Sequence, residues 1–236
     1  MCYDTPALIR QFGHAHAVLL DEAAAEVAES SRVETAAVPA PDWFSRAVRS
    51  RQRGYVAGRH CASTSLASAG ARDAHGAMHT GAFGAPQWPA GFTGSITHSA
   101  DIAVALVAPL SQWRSVGIDC EPVIDPSTAA YVAERIVPEQ RDVAWTSPVH
   151  RPLSFEETLT IGFAAKESIY KCLNPLVHEF FGFDSVRLES IDLEHGLARF
   201  ILLRALGEEF MVDTPLAVRF SLEHGHVFAA SALAVM

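Results

Sequence analysis

Residues 94–107 read GSITHSADIAVALV, and residues 220–235 read FSLEHGHVFAASALAV. Each stretch contains a Ser-x-x-His element, a short polar turn and then an apolar segment. Two short strand-like stretches on either side of a polar turn predict a β-hairpin. Because the two stretches lie 126 residues apart, close to half of the chain, their similarity is what two similar α+β lobes would produce.

Helical and extended patterns fill much of the remaining chain. A helix is predicted over 43–69, with interruptions at Gly54 and Gly58. A second helix is predicted over 156–173, where Asn174-Pro175 would end it. The other predicted elements are an Ala-rich helix around 21–31 with loops on both sides, a short helix around 129–135, and strands at 116–121, 185–188, 197–203, 217–222 and 227–235.

The composition narrows the class of protein. Of the 236 residues, 49% are hydrophobic and 19% are charged, which is enough apolar material for a packed core. No uncharged apolar run reaches the ~18 residues of a membrane span, and the first residues lack the basic start of a secretory signal. We therefore expect no membrane association. The four cysteines form no CxxC pair, so we expect reduced thiols and a cytoplasmic protein. The net charge of −9 argues against nucleic-acid binding, so an anionic ligand would need a local basic cluster.

Two carboxylates share one face of the strand at 116–121, which reads VGIDCE. Alternate side chains of a strand point the same way, so Asp119 and Glu121 would be neighbours with Cα atoms roughly 6.6 Å apart. Two such carboxylates repel each other unless a cation lies between them, and hard oxygen ligands suit Mg²⁺. The alternative is a solvated polar surface at the end of a strand.

Both lysines of the chain lie in the segment 163–171, FAAKESIYK. Glu167 and Lys171 are four residues apart, and as a surface pair they would contribute only ~0.3–0.5 kcal/mol. Lys166 lies about 100° away around the helix and is not explained by that pair. A carboxylate beside two ammonium groups fits a metal–phosphate centre better.

Two further segments offer groups for binding an anion. Arg51 and Arg59 are two helical turns apart, and their guanidinium groups suit phosphate oxygens, although an exposed basic helix face is the alternative. Residues 88–99, WPAGFTGSITHS, combine glycines that allow close backbone approach with the donors Thr97 and His98.

Taken together, the segments at 51–62, 88–98, 116–121 and 163–171 resemble the 4′-phosphopantetheinyl transferases, in particular the two-lobed surfactin and enterobactin-synthetase component D type. They occur in the order of that family and span about half of the chain. The resemblance implies an α+β pseudo-dimer of two similar lobes with the active site at their interface. The N-terminal lobe, 1–112, would contact coenzyme A, and the C-terminal lobe, 113–236, would carry the metal and catalytic residues.

The resemblance also implies an activity and a metal site. The enzyme would transfer 4′-phosphopantetheine from coenzyme A to a serine of an acyl or peptidyl carrier protein, with Mg²⁺ as cofactor. Asp119 and Glu121 would hold the metal on the diphosphate, with Glu167 as third carboxylate and the backbone carbonyl of Cys120 nearby. Glu167 would also be the general base that takes the proton of the carrier serine.

The remaining implied roles concern the phosphates of coenzyme A. Lys166 and Lys171 would neutralise the diphosphate, and Lys171 would assist departure of 3′,5′-ADP. The implied coenzyme A contacts in the first lobe are Arg51 and Arg59 on the 3′-phosphate and Thr97 and His98 on the diphosphate. The family often carries a basic residue in the loop before Trp88, where this chain has His79, Thr80 and Phe83.

The expected partners are coenzyme A and an acidic carrier protein, and we expect a monomer. Two alternatives use part of the same residue set. A Mg²⁺-dependent hydrolase of coenzyme A or a related nucleotide diphosphate would use water as the acceptor. A non-catalytic module that binds coenzyme A or a carrier would keep the arginines and could dispense with the metal.

Overall fold

The computed structural model describes residues 2–20, 41–71, 80–81, 85–136 and 153–235. The chain forms two compact units, of which the first comprises Met1–Val116 with Leu233–Met236 and the second Gly117–Ala232. Both mix helices with antiparallel sheet, so the predicted α+β class is confirmed. The described helices all lack the combination of length and apolarity that crossing a membrane requires.

The first unit is a four-stranded sheet with one long helix. Its elements are β1 (Cys2–Tyr3), α1 (Ala7–Arg10), β2 (His14–Leu19), α2 (Arg49–Ser68), β3 (Phe92–His98) and β4 (Ile102–Pro109). The strands pair in the order β1-β2-β4-β3, and all the pairs are antiparallel. Strand β4 reads IAVALVAP and is buried along nearly its whole length, because it lies inside the sheet and α2 packs against it.

The prediction that glycines interrupt the helix of this unit is wrong, because α2 runs unbroken through Gly54 and Gly58. A Cβ on Gly58 would lie 2.6 Å from Cγ2 of Ile96, and one on Gly54 would lie 2.6 Å from Nδ1 of His98. The two glycines therefore let the helix approach β3 closely.

The second unit has a five-stranded sheet, in the order β5-β9-β8-β7-β6, and two helices. The elements that lie wholly or mainly in this unit are β5 (Trp113–Pro122), α3 (Pro126–Ile136), α4 (Phe155–Val177), β6 (Val186–Asp192), β7 (Leu197–Leu202), β8 (Pro215–Glu223) and β9 (His226–Ala234). Helix α4 begins with a capping box, in which the Ser154 hydroxyl accepts from the Glu157 amide and the Glu157 carboxylate accepts from the Ser154 amide.

The predicted end of this helix at Asn174-Pro175 is wrong, since Pro175 lies inside the last turn and the helix ends at Val177. Proline removes one backbone donor, but the Asn174 carbonyl still accepts from the His178 amide at 2.9 Å. His178 then leaves the helix in the left-handed conformation, with φ 54°.

The same order of elements occurs in both units. In the first, β2, α2 and the β3–β4 hairpin give the strand order β2-β4-β3. In the second, β5, α4 and the β8–β9 hairpin give the order β5-β9-β8, with β6 and β7 added. The two similar sequence stretches are therefore equivalent hairpins, which confirms two similar α+β lobes.

Two strands of the first unit, β1 and β2, lie where no strand is predicted. Residues 14–19 form β2, where loops around a helical segment were predicted, and that segment around 21–31 lies outside the described residues. His16 is a polar residue at a half-buried position, so the sequence does not indicate that this side of the strand is covered. Its ring lies 6.1 Å from that of His60 on α2.

Candidate active site

Gly117 brings strand β5 into direct contact with helix α4. A Cβ at this position would overlap the backbone oxygen of Ser168 and would lie 2.6 Å from the backbone nitrogen of Cys172. Only glycine allows this approach without a shift of the helix or the strand. As a result, Asp119, two residues further along the strand, lies beside Lys171 on α4.

Asp119 and Lys171 form an ion pair, with Lys171 Nζ donating to Asp119 Oδ1 at 2.6 Å. The Asp119 side chain is 3% exposed and that of Lys171 is 26% exposed. Removing either partner would leave a charge in a partly dry environment, which is costly. The pair thus joins the two segments that the sequence singled out separately.

Glu121 and Glu167 complete a group that we call the carboxylate cluster: Asp119, Glu121 and Glu167. Burial raises the pKa of Glu121 to about 8, with the negative charges of Asp119 and Glu167 adding to the effect and Lys171 opposing it. Burial also raises the pKa of Glu167. The positive charge of Lys171 lowers that pKa, and the negative charge of Asp119 raises it. The three carboxylates are therefore close enough to repel one another, and one ammonium group does not balance them.

The chemistry of these donors fits a hard divalent cation. As they stand, no three His, Cys, Asp or Glu side chains in the described part of the chain are grouped closely enough to hold a metal ion. Mg²⁺ does not need such a cage, because it keeps several waters and is usually held by one or two carboxylates together with substrate phosphates. Cys120 is fully buried between Asp119 and Glu121 in the strand, so its thiol points to the face opposite the two carboxylates.

Lys166 lies in the interior, with 1% of its surface exposed. Its Nζ donates to the backbone oxygen of Phe183 at 3.0 Å. It therefore contacts the segment that follows α4, on the side of the helix away from the Asp119–Lys171 pair.

A cavity of about 350 Å³ lies next to Glu167. The sequence patterns described above do not predict it. Helix α4 and β6 contribute Lys166, Glu167, Tyr170 and Val186 to its wall, and the segment after α4 contributes Phe180, Phe181, Gly182 and Phe183. The run FFGF at 180–183 is a signal that could have pointed to it, because three aromatic residues beside a helix end are typical of an apolar wall.

In the first unit, Arg59 is held in a partly buried site. Its Nη2 donates to Thr80 Oγ1 at 3.0 Å, and its guanidinium lies 5.1 Å from the centre of the Tyr55 ring. Burial lowers the pKa of Arg59, and Tyr55 opposes that shift. Its Nη1 is buried and makes no hydrogen bond among the described residues, which leaves a donor for an anion. Thr80 thus orients Arg59, while His79 and Phe83 lie outside the described residues.

The other predicted residues of this unit lie on α2 and β3. The exposed Arg51 stacks on Trp43, with its guanidinium carbon 4.7 Å from the ring centre. His98 is exposed at the end of β3, with its ring against Gly54, and Thr97 is buried in the same strand. The structure brings Asp119, Glu121, Glu167 and Lys171 together in the second unit and gathers the arginines on one helix in the first.

Comparison with known proteins gives the class. Residues 38–108 match the family model of the 4′-phosphopantetheinyl transferase N-terminal domain, and residues 115–225 match that of the 4′-phosphopantetheinyl transferase superfamily. The chain is 31% identical over 194 residues to the 4′-phosphopantetheinyl transferase PptT of Mycobacterium tuberculosis, covering 80% of this chain and 82% of that protein. It therefore belongs to the 4′-phosphopantetheinyl transferase superfamily.

Two other relatives are matched over a shorter span. The 4′-phosphopantetheinyl transferase Npt of Nocardia iowensis is 32% identical over 155 residues, which is 66% of both chains. The enterobactin synthase component D of Salmonella typhi is 33% identical over 159 residues, which is 67% of this chain and 63% of that protein. The chain thus spans slightly less than two thirds of the length of each.

Proposed function

We propose that this protein transfers 4′-phosphopantetheine from coenzyme A to a serine of an apo carrier protein. The observation that carries the proposal is the carboxylate cluster with Lys171 at its centre, in a chain of this family. In the reaction, the serine oxygen bonds to the phosphorus that carries the pantetheine arm. The bond from that phosphorus to the bridging oxygen breaks, and 3′,5′-ADP leaves.

Glu167 is the general base in this proposal. It accepts the serine proton, directly or through a water, and its raised pKa makes it a stronger base than an exposed glutamate. Lys171, placed by Asp119, faces the negative charge that develops on the departing 3′,5′-ADP. Lys166 lines the cavity together with Glu167 and would add a second positive charge from that side of the site.

Asp119, Glu121 and Glu167 would hold Mg²⁺, together with the carbonyl of Cys120. When bound, the ion would supply positive charge to the diphosphate, as metals do in phosphoryl transfer. The excess negative charge of the cluster and the raised pKa of Glu121 support this assignment.

Coenzyme A itself would be held at its two ends. Arg51 and Arg59 would bind the 3′-phosphate, which is supported by the buried Nη1 of Arg59, and Thr97 and His98 would bind the diphosphate. The largely apolar cavity beside Glu167 suits the pantetheine arm, which extends from the reacting phosphorus.

Intact-mass spectrometry tests the proposal. A panel of apo carrier proteins from fatty-acid, polyketide and non-ribosomal peptide synthesis is incubated with the protein, coenzyme A and Mg²⁺. We expect at least one carrier to gain the mass of one phosphopantetheine group. If no carrier gains it, release of 3′,5′-ADP without a carrier would indicate the hydrolase, and coenzyme A binding without turnover would indicate the binding module. The cytoplasmic location and the monomeric state are further predictions of the same proposal.

A further inference from the structure

Half of the cavity beside Glu167 is formed by the segment between α4 and β6, which we call the wall segment, residues 179–185. It includes Phe180, Phe181, Gly182 and Phe183, which line the cavity. The segment contains no strand, and a single turn of 3-10 helix, Phe183–Ser185, ends it. The Leu203 amide donates to the Ser185 backbone oxygen at 2.9 Å, and the other contacts described below are made by side chains.

One side chain makes three of those contacts. Arg204 follows β7 and donates from Nε to Ser185 Oγ at 3.0 Å, from Nη1 to Glu179 Oε1 at 3.2 Å and from Nη2 to the Phe180 backbone oxygen at 3.3 Å. These acceptors lie at the start and at the end of the wall segment. A planar guanidinium with donors in fixed directions suits three separate acceptors, whereas a lysine ammonium does not reproduce that geometry.

Further side-chain contacts tie the segment to α4. Asn174 Nδ2 donates to the Glu179 backbone oxygen at 3.0 Å, and Lys166 Nζ donates to that of Phe183. The Tyr170 ring lies 5.8 Å from the Phe180 ring and 5.0 Å from the Phe181 ring. The helix side of the segment is thus held by residues of α4, two of which line the cavity. Arg204 contacts the segment from the residues after β7, and its side chain lies outside the cavity lining.

We propose that Arg204 is a positioning residue that holds the wall segment in place and thereby sets the shape of the site for the pantetheine arm. The inference rests on the proposed function, because the arm is part of coenzyme A. Arg204 does not line the cavity, so its effect on the ligand passes through Phe180 and Ser185. It follows that Arg204 contributes to binding of the arm and not to binding of the nucleotide end.

The test compares two ligands on the full-length protein. Calorimetry measures the affinity of wild type and Arg204→Ala for coenzyme A and for adenosine 3′,5′-bisphosphate, which lacks the arm. Loss of three hydrogen bonds that order the wall should weaken coenzyme A binding about tenfold and leave adenosine 3′,5′-bisphosphate binding within about twofold. Arg219→Ala is the matched control, because Arg219 is also exposed and donates to a backbone oxygen, that of His195. We expect it to change neither affinity.

Hydrogen exchange measured by mass spectrometry on the same proteins gives a readout that does not depend on the ligand. The amides of Ser185 and Leu203, which donate to Gly182 and Ser185 oxygens, should exchange faster in Arg204→Ala and not in Arg219→Ala. Unchanged exchange of these amides in Arg204→Ala would overturn the inference. Faster exchange with unchanged coenzyme A affinity would also overturn it, and so would an equal loss of affinity for coenzyme A and adenosine 3′,5′-bisphosphate. If wild type binds neither ligand while the exchange result holds, the proposed function fails and the role toward the arm fails with it.

Discussion

Glu167 lies on α4 one turn before Lys171, with its carboxylate near Asp119. Replacing it by glutamine keeps the shape and removes the base and one negative charge. We expect Glu167→Gln to lower the transfer rate by a factor of roughly 10²–10⁴, the usual size of general base catalysis, with unchanged thermal stability or a small gain. The rate is measured by intact mass of the carrier. Glu134→Gln, at an exposed position on α3, is the control, and an equal rate in both variants would remove Glu167 from the mechanism.

The raised pKa of Glu121 makes a prediction about stability and pH. In the folded protein the pKa is about 8 against an ordinary value of 4.5, so between these limits the folded state binds more protons than the unfolded state. The contribution of Glu121 to the free energy of unfolding therefore falls as pH rises through this window.

Glu121→Gln cannot lose that proton, so its stability relative to wild type should increase from pH 5 to pH 8. Thermal unfolding at each pH in the presence of a chelator measures this difference in stability. In a second measurement with Mg²⁺ in place of the chelator, the melting temperature of wild type should rise more than that of the variant. A stability difference that does not change with pH would contradict the raised pKa.

At the scale of elements, the contact of β5 with α4 decides whether the site forms. Gly117→Ala puts a methyl group against the backbone of Ser168 and Cys172, where no flexible side chain can move aside. We expect a loss of about 1–3 kcal/mol in the free energy of unfolding, measured with urea, and a loss of transfer activity as Asp119 moves relative to Lys171.

Gly70→Ala provides the control for this prediction. Gly70 has a positive φ of 78° and open space around its Cβ position, so alanine there strains only the local backbone, at a cost of about 1–2 kcal/mol. Stability should fall while transfer activity stays. If Gly117→Ala likewise kept full activity, the strand–helix contact would not be what builds the site.

Local patterns predict the strands that are short apolar runs next to a turn. The β3–β4 and β8–β9 hairpins and strand β5 are of this kind. Strand β2 is not predicted, because His16 is a polar residue at a half-buried position. The end of α4 is predicted too early. Pro175 weakens the last turn, but the hydrogen bond from the His178 amide to the Asn174 carbonyl keeps that turn helical.

At the scale of the whole molecule, the order of four motifs indicated the family before any contact was known. The Asp119–Lys171 pair, in contrast, joins residues 52 positions apart and depends on the missing side chain of Gly117, which no local pattern reports. The cavity beside Glu167 likewise depends on where Arg204 holds the segment after α4. Sequence reasoning thus identified the candidate chemical groups, and tertiary packing decides their distances and their pKa values.

The central claim is that Asp119, Glu121 and Glu167 share one divalent ion next to coenzyme A. Calorimetric titration of Mg²⁺ into the protein saturated with coenzyme A tests it most directly. We predict one ion per chain for wild type and for Glu134→Gln, and at least about tenfold weaker binding for Asp119→Asn, the usual effect of changing a metal ligand or its support. Equal Mg²⁺ affinity in wild type and Asp119→Asn, or no Mg²⁺ binding by the wild-type complex, would contradict the account.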